Sequence, residues 1–404
     1  MNGNDRAIVS LVTVAHAMVH TYELSIPVLV TVWLDAFPVS TATMGLVTAA
    51  GYALFGIGAL PGGILADALG SRRLIVAGLA GMAASFLALG AAPSVPALAV
   101  ALVVWGAAAS VYHPAGLALI STGVRERGTA FAYHGIAGNL GIALGPLAAV
   151  LLLSAFGWRT AVLALAVPAG IAAAYALGLD VEETAAVETR EATDGGGRTG
   201  VDSLGAFLAE SRALFAGGFA VVFAMVIGSG LYYRGVLTFL PDLLSAFPVF
   251  RPVEVGGRTL EPGRYAYSGL LIVGVLGQYA GGKLTDRIET TGGLAAGYGA
   301  LAVVALVFLP LARSGLAGFL VAGAALGILL FLVQPLMQAT VAEYTPAGTR
   351  GLSYGYTYLG VFGVGALGAA VAGGLLGYFS PGVLFLALAG FAATASGLGL
   401  YLYR

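Results

Sequence analysis

Residues 63–73 read Gly-Ile-Leu-Ala-Asp-Ala-Leu-Gly-Ser-Arg-Arg and connect two long apolar segments near the start of the chain. Residues 282–287 read Gly-Lys-Leu-Thr-Asp-Arg and follow another apolar segment, 219 residues later. Each stretch places a glycine, an aspartate and basic side chains immediately after an apolar run. The likeness predicts that the two halves of the chain repeat one architecture.

Further matches support the repeat. They occur in the same order and at similar offsets, and they pair His113-Pro114 with Gln334-Pro335, Arg127-Gly128 with Arg350-Gly351, and His20 seven residues before Pro27 with Arg234 seven residues before Pro241. Repeats of this kind are typical of secondary transporters, in which the binding site lies between the halves near the middle of the membrane.

The composition indicates an integral membrane protein. The chain is 59% hydrophobic and 9% charged, with a mean hydropathy of +0.95, whereas about a quarter of the residues of a soluble domain are charged. The net charge of −1 suggests no nucleic-acid partner. Because the sequence has no zinc-ligand spacing, nucleotide loop or nucleophile–base pair, we expect no enzyme, no cofactor and no metal.

The apolar segments predict an all-α fold with twelve transmembrane helices in two pseudo-symmetric six-helix bundles, since each is long enough to cross about 30 Å of hydrocarbon. We expect an N-terminal bundle at 1–180, a cytoplasmic acidic and Gly-rich linker at 181–211, a C-terminal bundle at 212–404, and an extracellular insertion at about 246–264 that forms a hairpin. The predicted spans are 7–34, 43–67, 72–92, 95–122, 127–155, 158–180, 212–240, 265–288, 291–312, 315–342, 348–378 and 381–403.

The basic residues predict the orientation. With the N-terminus inside, the inner segments hold twelve Arg and Lys residues and the outer segments five, with Arg234 inside a span. Basic residues are enriched in short cytoplasmic loops. We therefore expect both termini in the cytoplasm and the chain in the plasma membrane.

Residues 63–73 resemble the signature loop between spans 2 and 3 of the major facilitator superfamily, and the resemblance extends over essentially the whole chain. Within the superfamily the chain is most similar to the fosmidomycin-resistance-type exporters. The residues that carry this likeness are Tyr112-His113-Pro114-Ala115-Gly116, Arg127-Gly128, residues 138–146 and Thr238-Phe239-Leu240-Pro241. Span 5 also resembles the antiporter motif of drug exporters through Asn139, Gly141, Gly145 and Pro146, although Ala149 and Val150 stand where that motif ends in a glycine pair.

Titratable side chains in the first third of the chain are the candidate site. Charged or titratable groups within the hydrocarbon are costly and usually mark a substrate or proton path. His16, His20 and Glu23 share one helical face because they are spaced i, i+4 and i+7. Histidine titrates near neutral pH, so we expect Glu23, His20 and His113 to carry protons. A buried histidine that only bonds a backbone carbonyl is the structural alternative, especially for His16 and His134.

In the superfamily, spans 1, 4, 7 and 10 line the central cavity. The resemblance therefore implies a substrate site built from both halves, with Arg234 suited to an anion or alternatively to pairing with Glu23. The members of this predicted site are His20, Glu23, Tyr112, His113, Arg234, Gln334 and Gln338. The resemblance also implies a conformational latch on the cytoplasmic side, made of Gly63, Asp67, Gly70, Arg72, Arg73, Asp286 and Arg287.

The sequence thus favours a monomeric, proton-coupled transporter in the lipid bilayer that exports a small anionic or amphiphilic molecule. Uptake of an organic anion by symport is the first alternative. A protein that moves lipids or lysolipids is the second, because the C-terminal half is poor in charge. A channel is disfavoured, since no filter loop or pore ring is evident.

Overall fold

A computed structural model of the protein describes residues 1–186, 204–346 and 349–404, and these are almost entirely helical. The all-α membrane fold predicted from the sequence is therefore confirmed. Residues 187–203 of the predicted linker lie outside the described part of the chain, as do residues 347 and 348. The predicted boundaries of the two bundles stay predictions.

Residues 1–180 form eight helices, because two of the six predicted spans are broken. The helices are α1 (Gly3–Ala36), α2 (Thr41–Ile57), α3 (Ala59–Leu69), α4 (Ser71–Ala91), α5 (Val95–Ser110), α6 (Tyr112–Gly123), α7 (Arg127–Ala155) and α8 (Trp158–Gly178). The breaks separate α2 from α3 and α5 from α6.

The second half continues with α9 (Leu204–Phe215), α10 (Phe219–Leu237), α11 (Leu240–Ser245), α12 (Pro262–Leu284), α13 (Thr290–Arg313), α14 (Leu316–Glu343), α15 (Arg350–Tyr358), a π-helix (Leu359–Val364), α16 (Leu367–Tyr378) and α17 (Pro381–Tyr403). A short 3-10 helix (Pro248–Phe250) precedes β1 (Val253–Val255) and β2 (Arg258–Leu260). These strands pair antiparallel, and Gly256 and Gly257 form the turn with positive φ angles. The hairpin predicted in the insertion is present.

The helices that are long and apolar enough to cross a membrane match most of the predicted spans. Among the described residues, ten helical segments are long and apolar enough to cross a membrane, and the pair α2–α3, bent by 46°, would be an eleventh. Helix α12 covers the predicted eighth span but is not one of them. It carries the polar side chains Arg264, Gln278 and Lys283, which reduce its hydropathy.

Close packing divides the chain into two compact units. Unit 1 comprises residues 1–25 and 50–200, and within it α4 packs against α5, α6 and α8. Unit 2 comprises residues 26–49 and 201–404, and within it α13 packs against α14 and α17 while α12 packs against α14. Residues 26–49 belong to unit 2 through contacts such as the hydrogen bond from Thr41 Oγ1 to the Gly373 carbonyl, 3.0 Å.

The hydroxyl group of Tyr22 on α1 is inserted between two backbone groups of α8. Tyr22 donates from its hydroxyl to the carbonyl of Leu165 (2.7 Å) and accepts from the amide of Ala169 (3.1 Å). These two backbone groups would otherwise bond each other as an i, i+4 pair. The contact ties α1 to α8 and fixes the rotation of α1 inside unit 1.

Candidate functional site

The predicted polar face of α1 is buried inside unit 1. His16 and Glu23 are 7% and 1% exposed, and the side chain of His20 is 12% exposed. His20 and Glu23 are one turn apart, and His20 Nδ1 lies 2.6 Å from Glu23 Oε2. His20 Nε2 lies 3.0 Å from His16 Nε2, and His16 Nδ1 lies 2.7 Å from the carbonyl oxygen of His134. Three titratable side chains therefore form one continuous hydrogen-bonded chain.

The acceptors in this chain determine where its protons lie. A carbonyl oxygen only accepts, so His16 Nδ1–H donates to His134, and the Nε2 of a neutral His16 is an acceptor. The hydrogen bond between the two Nε2 atoms then requires that His20 Nε2–H donates to His16. The hydrogen bond between His20 and Glu23 requires one more proton. Either His20 holds it as an imidazolium beside an ionised Glu23, or Glu23 holds it and both side chains are neutral.

Losing that proton necessarily breaks a hydrogen bond. A neutral His20 has one N–H, so it can donate to His16 or to an ionised Glu23 but not to both. The unsatisfied contact would place a nitrogen lone pair against another lone pair. Deprotonation of this chain therefore requires a rearrangement of side chains on α1.

Two further histidines and a tyrosine surround this chain of hydrogen bonds. The ring of His113 on α6 lies 5.3 Å from that of His16 and 5.6 Å from that of His20. His134 on α7 stacks on His16 at 3.7 Å. Tyr112 stacks on His16 at 5.5 Å and donates from its hydroxyl to the carbonyl of Val12. The four histidines of the chain therefore form a single group, which we call the histidine cluster.

Glycines of the span 5 motif bring α7 close enough to complete this cluster. A Cβ atom at Gly138 would lie 2.5 Å from the His16 ring, and one at Gly141 would lie 2.3 Å from the Ala17 carbonyl. A Cβ at Gly145 would lie 2.5 Å from the Cα of Thr21. The motif is therefore a packing surface for the polar segment of α1, as small residues are in other membrane helices.

Unit 2 holds the predicted cationic group. Arg234 on α10 is 1% exposed, and its guanidinium lies 5.3 Å from the Tyr233 ring and 5.4 Å from the Phe362 ring. Phe362 belongs to the π-helix, an irregularity that is often found at functional sites. Gln334 is half-buried on α14, where its amide bonds the Leu330 carbonyl at 3.5 Å, and Gln338 is exposed.

The signature loop has a carboxylate that the sequence analysis did not identify. Gly70, with a φ of 85°, connects α3 to α4. The amides of Ser71 and Arg72, at the start of α4, donate to the two carboxylate oxygens of Glu183 at 2.7 and 3.0 Å. A Cβ at Gly70 would lie 3.2 Å from that carboxylate. The positive φ therefore favours glycine here, and a side chain would also press on the Glu183 carboxylate.

The predicted latch residues have different surroundings. Arg72 donates from its guanidinium to the Leu177 carbonyl at 2.7 Å, inside unit 1. Asp67 and Arg73 are exposed, as are Asp286 and Arg287 after α12. The carboxylate at the start of α4 thus comes from Glu183, and the latch remains a prediction.

The sequence indicates most of these polar residues but does not predict two of their contacts. The sequence does not indicate a contact for His134, which lies on a different helix from His16 and His20, yet its ring stacks on His16. Tyr52 on α2 donates to the backbone carbonyl of Glu23 at 3.1 Å. A tyrosine in an apolar helix gives no sequence signal for such a bond.

Comparisons with known proteins agree with this architecture. Residues 9–358 match the family model of the Major Facilitator Superfamily. A variant of the nucleoside transporter NupG has a similar structure, with a TM-score of 0.74, 15% identity and full coverage of both chains. An inward-facing, unoccupied bacterial homolog of the human lysosomal transporter Spinster has a TM-score of 0.72 at 16% identity, covering 100% of this chain and 95% of that one.

A curated relative matches over a shorter stretch. The puromycin resistance protein pur8 of Streptomyces alboniger is 41% identical over 103 residues, which are 25% of this chain and 20% of that protein. The chain thus spans about a fifth of the length of this relative.

Proposed function

The chain belongs to the Major Facilitator Superfamily, whose members are membrane transporters and not enzymes, and on this basis we propose that it exports a small anionic or amphiphilic molecule by exchange for protons. The observation that carries the proposal is the buried hydrogen-bonded chain Glu23–His20–His16 on α1. An ionisable chain of this kind inside a membrane span is costly and marks a proton path in transporters.

The proton shared by Glu23 and His20 could couple proton transfer to a change in conformation. Glu23 and His20 share one proton that is released only when one of two hydrogen bonds breaks. Proton binding and release are therefore linked to the position of side chains on α1. Such a link between a local charge change and an element with two arrangements is what a proton-driven conformational cycle requires.

Two observations support the substrate class and the direction. Arg234 is a buried guanidinium close to two aromatic rings, which suits a carboxylate or phosphate attached to an apolar body. The stretch that is similar to a puromycin resistance protein favours export over uptake. We assign the proton to Glu23, His20 and His113, and the anion to Arg234.

The test is flux in proteoliposomes after a pH jump, across a panel of anionic, amphiphilic and neutral compounds. In Glu23→Gln the side chain keeps its shape but cannot release a proton. We expect this variant to lose pH-driven net flux at least 100-fold while substrate–substrate exchange stays measurable, because only the proton-dependent return step is lost.

The matched control is Asp35→Asn, which removes an exposed carboxylate from the same helix and should keep gradient-driven flux. Full gradient-driven flux in Glu23→Gln would contradict the assignment of the proton to Glu23. Net accumulation inside vesicles under an inward proton gradient would contradict export.

A further inference from the structure

We propose that the histidine cluster binds a divalent transition-metal ion of the Zn²⁺ type through His16, His20 and His113. One ring nitrogen from each of these three residues lies within 4.8 Å of the other two, inside unit 1. The inference is independent of the proposed transport function, because metal binding is measured on the isolated protein without a gradient or a substrate.

The hydrogen bonds of the cluster already orient two of the ligands. Metal-bound histidines usually donate their second ring N–H to a carboxylate or to a backbone carbonyl. His16 uses Nδ1 for the carbonyl of His134 (2.7 Å), and His20 uses Nδ1 for the carboxylate of Glu23 (2.6 Å). Both Nε2 atoms then point at each other and are available as ligands.

The distance between the two Nε2 atoms fits a small tetrahedral ion. With Zn–N bonds of about 2.0–2.1 Å, two nitrogens of a tetrahedral site lie about 3.3 Å apart. The two Nε2 atoms are 3.0 Å apart, so they need to separate by only a few tenths of an ångström. The ion would replace the proton between them. His113, whose ligand nitrogen lies within 4.8 Å of theirs, would move closer and supply the third nitrogen. Three protein ligands leave the fourth position of the ion open.

The chemistry of the donors selects the metal. Imidazole nitrogens suit Zn²⁺, Cu²⁺, Ni²⁺ and Fe²⁺, whereas Mg²⁺ and Ca²⁺ prefer oxygen ligands. The nearby carboxylate of Glu23 offsets part of the charge of a divalent ion in an apolar span. No zinc motif is evident in the sequence because the ligands come from two helices, an i, i+4 pair on α1 and a single residue on α6.

The test uses the full-length protein in detergent, purified through a tag without histidine and freed of metal. Zn²⁺ binding is measured by equilibrium dialysis and calorimetry, with Mg²⁺ as the comparison ion. We expect one Zn²⁺ per chain and no Mg²⁺. His16→Gln, His20→Gln and His113→Gln should each lower the affinity at least 100-fold, and Glu23→Gln about 10–100-fold, as loss of such outer partners does elsewhere.

Asp35→Asn is the matched control, because it removes an exposed carboxylate from the same helix and leaves the histidine cluster unchanged. It should bind Zn²⁺ within a few-fold of the unmodified protein. X-ray absorption of the Zn²⁺-loaded protein, which needs no variant, should show imidazole nitrogens at about 2.0–2.1 Å. Binding that survives loss of all three ligands, or a shell of oxygen atoms alone, would overturn the site.

Discussion

Gly141 shows how a single missing side chain positions the candidate site. Its Cα faces the backbone of α1, where an added Cβ would lie 2.3 Å from the Ala17 carbonyl. The oxygen belongs to the main chain and cannot turn away, so a larger residue must push α1 and α7 apart. Residues 16 and 20 lie on either side of this contact, and their hydrogen bonds depend on it.

Gly141→Ala is therefore expected to destabilise the protein. Overpacking of a close contact costs about 1–3 kcal/mol, which exceeds the 0.5–1 kcal/mol or so that alanine gains over glycine within a helix. The midpoint of thermal unfolding in detergent measures the difference. Gly135→Ala on the same helix is the control, because nothing lies within 4 Å of its added Cβ, and its midpoint should stay the same or rise. Equal shifts of the unfolding midpoint in both variants would show that the close contact at Gly141 does not determine the stability.

At the scale of elements, the start of α4 depends on a residue from beyond the end of α8. The first amides of a helix lack partners within it, and here Glu183 accepts from two of them. The backbone of the same residue is also fixed, because Thr122 Oγ1 on α6 donates to its carbonyl at 2.6 Å. The segment that follows α8 thus joins α4 and α6.

We expect Glu183→Ala to destabilise unit 1 by about 1–2 kcal/mol, because it removes a cap and a charge that is favourable at a helix N-terminus. Hydrogen exchange of the α4 amides, followed by mass spectrometry, should increase in the first turn only. Glu182→Ala is the control: its side chain is exposed, and the hydrogen bonds between Glu182 and Asn4 involve the backbone of Glu182. Unchanged exchange at Ser71 and Arg72 in Glu183→Ala would exclude the capping role.

The elements also show what the sequence could and could not predict. Apolar runs and polar interruptions gave the membrane helices and the hairpin around Gly256, because these depend on local composition and on positive φ angles. The face shared by His16, His20 and Glu23 followed from helical periodicity. The pairing of Glu183 with α4 and the stacking of His134 on His16 could not be predicted, since both join residues more than 100 positions apart through packing. The π-helix around Phe362 likewise has no sequence signal that we could identify.

At the scale of the whole molecule, the candidate groups fall into chemically different sets. Unit 1 holds titratable groups, in the histidine cluster and Glu23. Unit 2 holds Arg234, which stays charged at every physiological pH. In a transporter that couples two fluxes, such a division would assign the proton to one half and the anion to the other. The repeat seen in the sequence, with His20 in the position of Arg234, leads to the same expectation.

Substitutions of Arg234 separate these roles from each other. Arg234→Lys keeps the charge but loses the planar fork that matches two oxygens and stacks on Tyr233 and Phe362. We expect affinity for an anionic substrate to fall at least 10-fold in Arg234→Lys and further in Arg234→Ala, while a neutral analogue binds as before. Glu23→Gln should show the reverse pattern, with binding retained and gradient-driven flux lost.

Binding is measured by scintillation proximity on purified protein, and flux in proteoliposomes made from the same preparation. The thermal midpoint of each variant shows whether it is folded, since Arg234 is buried. If Arg234→Ala bound the anion as tightly as the unmodified protein and failed only under a gradient, the guanidinium would belong to the coupling machinery. The assignment of the proton to unit 1 and of the anion to unit 2 would then be wrong, because residues of both units would act on the proton step.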